Sequence, residues 1–240
     1  MSKPTTRLIT FSGIDGAGKT TQIESISAEL IRRGYHVARI AFWDDVAVLS
    51  KFRARLSLRV LAKSKDKASD SALRHDKNVR KWYLTVVRAV FYVLDTWSLR
   101  SVVTRVQAES PDFVIFDRYV YDQLVQIRSR RFPVRLYIRM LLALAPTPDF
   151  GFILDAFPDE AFQRKPEYPL PFLYEYRRAF LSLRLFDPAL IVVGPGQIED
   201  IQHTVLRHIL FESTSHERHL FCASDTSLLT SVILRRDRPQ

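Results

Sequence analysis

The sequence predicts an α/β fold: a five-stranded, doubly wound parallel sheet flanked by helices, of the phosphate-loop NTPase class. Short apolar runs alternate with helix-patterned segments along the chain, the order expected of a parallel sheet with crossover helices. The first run, Leu8 to Ser12, leads directly into Gly13-Ile-Asp-Gly-Ala-Gly18-Lys19-Thr20, which has the GxxxxGKS/T spacing of a phosphate loop. A later run, Phe113 to Phe116, ends in Asp117. A buried strand that delivers a carboxylate to the sheet's carboxyl edge has this form.

The phosphate loop sets the chemistry. Gly13, Gly16 and Gly18 let backbone N–H groups turn inward, so that the amides of the loop, with those of Asp15, Ala17 and Thr21, can surround a polyphosphate. Lys19 neutralises outer phosphate charge, Thr20 offers a hydroxyl to Mg²⁺, and the following helix adds its N-terminal dipole. A nucleoside triphosphate is the expected ligand. The helix runs from Lys19 to about Arg33, with Ile23, Ile26, Leu30 and Ile31 on one face and Gly34 placed to end it. His36 to Phe42 reads as the second strand, completing a right-handed βαβ unit. Phe42-Trp43-Asp44-Asp45 then follows a strand's carboxyl end, where ligands bind in such sheets. Asp44 and Asp45 are therefore site candidates, with capping of the next helix as the structural alternative.

Residues 51 to 88 carry most of the excess positive charge, and the polar stretch from about 63 to 78 reads as a mobile basic insertion. Aromatic residues are thin there until Trp82 and Tyr83, so nucleic acid is not the expected partner, and a cationic rim that attracts nucleotides accounts for the charge. A long helix is predicted from Tyr83 to about Val106. After the Asp117 strand, Arg118 projects into the same crevice, where a guanidinium can grip phosphate bidentately. Val134 to Ala145 is an apolar helix stopped by Pro146 and Pro148, and Phe150 to Leu154 is the fourth strand. Pro158 opens a short helix, another runs from about Phe172 to Leu185, and Leu190 to Val193 is the fifth strand. An amphipathic helix from Ile198 to about Leu210 closes the pattern.

The 240 residues fit one domain, placed at 1–212, with a short lid at about 158–171 and a polar tail of unassigned role at 213–240. A formal charge of +10 favours anionic ligands. The single cysteine, Cys222, rules out an internal disulfide and a cysteine-based zinc site. The histidines are scattered; His203 and His208 are five apart and share no helix face. No secretory h-region and no run of membrane-spanning length is present, so no membrane span and a cytoplasmic location are expected.

From about Arg7 to Leu210 the chain resembles the thymidylate kinase group of phosphate-loop nucleoside monophosphate kinases. Phe11 to Gln22 is similar to that family's own loop, and Asp117-Arg118-Tyr119 matches its DRY motif. Pro148 to Asp155, Pro158-Asp159-Glu160-Ala161 and Arg164 resemble the strand and helix that lead into its mobile lid, and Gly194 to Ile198 its adenine-side loop. The resemblance implies ATP as donor, Mg²⁺ held by Thr20 and Asp117, and Asp15 near the acceptor sugar's 3′-hydroxyl. It implies Arg118 on the acceptor phosphate, Lys19 on the donor phosphates and Arg164 closing over the transferred group. Tyr92 aligns with the aromatic that stacks on the acceptor base, and a homodimer is compatible with this reading.

The departures lie on the acceptor side. The family's arginine-proline-glycine-rich segment after the second strand is replaced by Phe42 to Asp45, and its base-reading arginine by Thr96. The cations of the lid are Arg164 and Lys165, just before Pro166. Phosphoryl transfer to dTMP or a related nucleoside monophosphate is the first expectation. A nucleoside or other hydroxyl kinase, with Asp44 or Asp45 as base, is the alternative. A nucleotide-dependent binding or regulatory NTPase is the second.

Overall fold

The computed structural model describes residues 6–46, 82–127 and 132–211. Most of the basic segment, the tail and Cys222 lie outside the described residues. Five parallel strands form one sheet in the order β2-β3-β1-β4-β5. They are β1 (Arg7–Ser12), β2 (Val37–Ala41), β3 (Phe113–Asp117), β4 (Phe150–Leu154) and β5 (Ile191–Val193). The chain winds one way from β1 to β2 and the other way from β3 to β4 and β5, so the crevice opens at the carboxyl ends of the central strands.

Burial follows position in the sheet. β1, β3 and β4 are near-continuous apolar runs with Ile9, Phe11, Val114, Ile115, Phe116 and Phe152 buried, as strands covered on both faces must be. The edge strands β2 and β5 are only partly covered. Helix α1 (Lys19–Arg32) buries Ile23, Ile26 and Leu30. Ile31, read from the sequence as part of that apolar face, is exposed. Strand starts are pinned by carboxylates: Asp149 accepts from the Leu8 N–H at 2.7 Å, and Asp112 from the His36 N–H at 2.7 Å. Each of these aspartates follows a proline, and each thus fixes a neighbouring segment rather than its own.

The remaining helices are α2 (Trp82–Ala108), α3 (Val120–Leu124), α4 (Phe132–Leu144), α5 (Pro158–Arg164), α6 (Leu170–Ser182) and α7 (198–211). Three differences from the sequence reading stand out. Phe42–Val46 is a single wide π turn that follows β2 directly. The short helix α3 follows the Asp117 strand, where no element was anticipated. The helix expected from Phe172 begins at Leu170 and ends in a 3₁₀ turn, Leu183–Leu185, because its last turn tightens. No helix among the described residues is long and apolar enough to cross a membrane.

Candidate active site

The phosphate loop is shaped by backbone that only glycine tolerates. Gly13 has φ 149°, and a Cβ there would stand 2.5 Å from the Leu154 carbonyl oxygen of β4. Gly16 has φ 86°, and its Cβ would run into the carbonyl of Ala161 on α5. Gly16→Ala is accordingly expected to destabilise the fold by about 1–3 kcal/mol, read as a fall of several degrees in Tm. An unchanged Tm would mean that α5 does not pack against the loop as described.

Lys19 is buried and folds back over the loop, its Nζ donating to the carbonyls of Gly13 at 2.9 Å and Ile14 at 2.8 Å. Burial, with Arg118 nearby, pushes its ammonium down to about 8. Thr20 and Thr21, on the first turn of α1, are exposed, whereas Ala17 is buried. In the sheet, Asp117 lies in register with Phe11 of β1, the strand that leads into the phosphate loop.

Arg118 links the two sides of the crevice. Its backbone is left-handed, φ 70°, a conformation that costs a non-glycine residue about 1–2 kcal/mol and clusters at functional positions. One edge of its guanidinium meets Asp15 of the loop, and Nη1 donates to Asp122 Oδ1 at 3.0 Å. Burial opposes the charge of Asp15, but Arg118 and Lys19 outweigh it and hold that carboxyl below its ordinary value. Arg164, at the end of α5, donates from Nη1 to the Gly16 carbonyl at 3.0 Å and from Nη2 to Glu160 at 2.9 Å. Lys19, Asp15, Arg118 and Arg164 therefore converge on one loop.

Residues 11–175 match the family model described as thymidylate kinase. The chain is 32% identical over 173 residues to a thymidylate kinase of Chlorobium luteolum, covering 70% of this chain and 71% of that one. The chain belongs to the thymidylate kinase family. A probable thymidylate kinase of Methanosphaera stadtmanae is 26% identical over 204 residues, covering 83% of this chain and 95% of that one. The crystal structure of thymidylate kinase from Ehrlichia chaffeensis superposes with a TM-score of 0.53 at 21% identity, covering 86% of this chain and all (100%) of that one, which bears on the fold alone. As a thymidylate kinase family member, the protein is a nucleotide kinase.

On the acceptor side of this thymidylate kinase fold, the named residues are placed unequally. Tyr92 of α2 is buried and its O–H reaches Gln126 Oε1 at 3.4 Å, while Gln126 Nε2 donates to the Asp122 carbonyl at 3.3 Å. Tyr92 thus stands next to the segment that carries Arg118. Thr96 is buried and donates back to the Tyr92 carbonyl at 2.7 Å, a bond within its own helix. Asp44 and Asp45 are exposed in the π turn at the end of β2. Asp45 accepts from the Ala41 N–H at 2.8 Å, closing the turn back onto its own strand.

Sequence reasoning missed Asp122, which accepts from Ser12 Oγ at 2.6 Å as well as from Arg118. Its spacing of four residues from Arg118 carried no helical signal, because Arg118 is left-handed at φ 70° and precedes α3. Sequence reasoning also missed Arg177, which grips Asp155 at the end of β4 bidentately, both bonds 2.6 Å, and lies over the Phe157 ring. That pair ties α6 to the strand from which α5 and Arg164 depart.

Proposed function

We propose that this kinase transfers the γ-phosphoryl group of ATP to dTMP. The observation that carries the reading is the placement of Arg118 between Asp15 and Asp122, beside the loop that holds Lys19. A phosphate acceptor needs a cation at that edge, whereas a hydroxyl acceptor needs a free base. Asp45 is committed to the Ala41 amide, which favours the phosphate acceptor over a hydroxyl acceptor with Asp45 as base.

In the proposed mechanism the loop amides and Lys19 hold the donor phosphates. The second ionisation of a phosphate monoester lies near pH 6, so the attacking oxygen of dTMP is already anionic and needs no base. Catalysis is then positioning and charge neutralisation. Arg118 binds the acceptor phosphate, Asp15 accepts from the sugar's 3′-hydroxyl, Tyr92 lies against the base, and Arg164 meets charge developing on the transferred group. Among the described residues no group of three His, Cys, Asp or Glu side chains gathers around a metal position. A hydroxyl and one carboxylate are the hard oxygen donors that suit Mg²⁺, which usually completes its shell with nucleotide phosphates and water. Thr20 and Asp117 would hold it, and when bound it neutralises phosphate charge.

The proposal includes residues 158–171 as a short lid carrying Arg164, within a kinase domain of 1–212. It also includes a cytoplasmic setting and a homodimer, the latter supported by the exposed row Val87, Val90, Leu94 and Trp97 on α2. Sedimentation equilibrium that returned the monomer mass at all concentrations would remove the dimer.

The acceptor is tested by ADP release with a panel of nucleoside monophosphates against a panel of nucleosides. dTMP is expected to give the highest kcat/KM, and turnover with nucleosides alone would overturn the reading. ATP binding also has an expected pH dependence. Below about 8 Lys19 carries its proton in the free enzyme; above it, a triphosphate must bring that proton back on binding. ATP affinity should therefore fall as pH rises past about 8, by at most about tenfold per unit. A flat titration-calorimetry Kd from neutral pH to well above that value would show that Lys19 does not meet the triphosphate.

A further inference from the structure

Arg118 is held by two carboxylates that differ in every other respect. Asp15, on the phosphate loop, has its side chain 15% exposed, Arg118 is 24% exposed and Asp122 is 1% exposed. Asp122 is also multiply bonded. Its Oδ1 accepts from Arg118 Nη1 at 3.0 Å, and its Oδ2 accepts from Ser12 Oγ at 2.6 Å and from the Tyr119 N–H at 3.3 Å. The Asp122 carbonyl accepts from Gln126 at 3.3 Å and from the Tyr176 hydroxyl at 3.5 Å. A buried carboxylate with donors on both oxygens has no freedom to leave, and one without a cation would be strongly disfavoured.

Asp15 is the movable partner. It sits in the loop, nearer solvent, and Lys19 Nζ lies 3.9 Å from its Oδ1 as a second cation. Asp122 takes one bond from Nη1 and Asp15 one from Nη2, so an acceptor phosphate that approaches Nη2 competes with Asp15 for the same end of the guanidinium. We propose that Asp122 is the positioning residue of the acceptor arginine: it anchors Nη1 from the buried side while the opposite edge passes from Asp15 to the acceptor phosphate. The anchor joins three parts of the crevice, because Ser12 ends β1, Arg118 follows β3 and Asp122 lies on α3. Acceptor binding therefore releases Asp15 for the sugar, coupling recognition of the phosphate to recognition of the 3′-hydroxyl.

This inference rests on Arg118 as the acceptor-phosphate ligand, and a double-mutant cycle separates the two claims. The readout is the Kd of dTMP by titration calorimetry for wild type, Asp122→Asn, Arg118→Ala and the double variant, with the Kd of ATP measured alongside. Asp122→Asn keeps the shape of the side chain and its bond to Ser12, and is expected to weaken dTMP binding about tenfold while leaving ATP binding within about twofold. In the Arg118→Ala background the same change should alter dTMP binding by less than about twofold, since there is no guanidinium left to position. Equal factors in both backgrounds, or an intact fold with unchanged dTMP affinity, would overturn the anchor. Arg118→Ala that binds dTMP like wild type would overturn the acceptor reading itself, and the anchor with it. Should Asp122→Asn not fold, Ser12→Ala loosens the same carboxylate from its other side. It is expected to weaken dTMP binding about threefold in the wild-type background and not in the Arg118→Ala one, and an effect of equal size in both would again overturn the proposal.

Discussion

Lys19→Ala is expected to lower turnover on the order of 10³-fold or more while the protein stays folded. The ammonium is buried and its own proton affinity is depressed to about 8, so holding charge there is unfavourable in the free protein. At neutral pH the ammonium still keeps its proton, donating to the Gly13 and Ile14 carbonyls, and a bound triphosphate is expected to strengthen that hold. Removing the side chain takes this donor from the carbonyls of Gly13 and Ile14, both buried residues, at a cost of about 1–3 kcal/mol, so Tm is measured alongside the rate. Single-turnover phosphoryl transfer at saturating ATP separates the two. A rate within tenfold of wild type would mean that Lys19 serves only to close the loop.

Arg164→Ala is expected to lower kcat by about 10³-fold with little change in the KM for ATP. In the present conformation Arg164 is half exposed and rests on the Gly16 carbonyl and on Glu160, a surface pair of small intrinsic worth. Its cost of release is accordingly low, and the base of its helix is held by the Arg177–Asp155 pair rather than by Arg164 itself. A cation that is weakly held in the ground state and carried by a firmly held helix can move onto charge that appears only during transfer. Arg164→Lys should recover only part of the rate, because an ammonium lacks the planar fork. If kcat of the alanine variant equals that of wild type, the lid role is removed. A proportionate rise in the KM for ATP alone would instead assign Arg164 to ground-state binding.

The strands and the loop were legible because their causes are local. β1, β3 and β4 are buried on both faces and so are written as near-continuous apolar runs, and Gly13, Gly16 and Gly18 occupy backbone that no other residue enters easily. The acceptor side was less legible because its determinants are pairings across the fold. Nothing near Asp122 in sequence shows that Ser12, 110 residues away, will cover it. Asp45 reads as a site candidate or a cap for the next helix, whereas the π turn brings it back to the Ala41 amide of its own strand. Thr96 reads as a substituted base reader, yet its hydroxyl is spent within its own helix. The short helix α3 has too few residues to show a period, so the turn that unites Arg118 with Asp122 left no pattern.

The place of β1 in the sheet has a consequence for how the chain is made. β1 is the first strand in sequence but lies between β3 and β4, and the contact of Thr6 with Pro111 closes a loop of 105 residues. On a ribosome adding roughly 5–20 residues per second, this buried strand and the phosphate loop wait on the order of 5–20 s for a hydrogen-bonding neighbour. Until then they present an unpaired edge, the form of chain that associates with other chains. Arrested nascent chains ending before Phe113 should therefore be cleaved readily by protease near β1, and chains that have released β3 and β4 from the exit tunnel should not. Equal resistance at both lengths would show that the amino-terminal segment finds shelter before its strand partners exist.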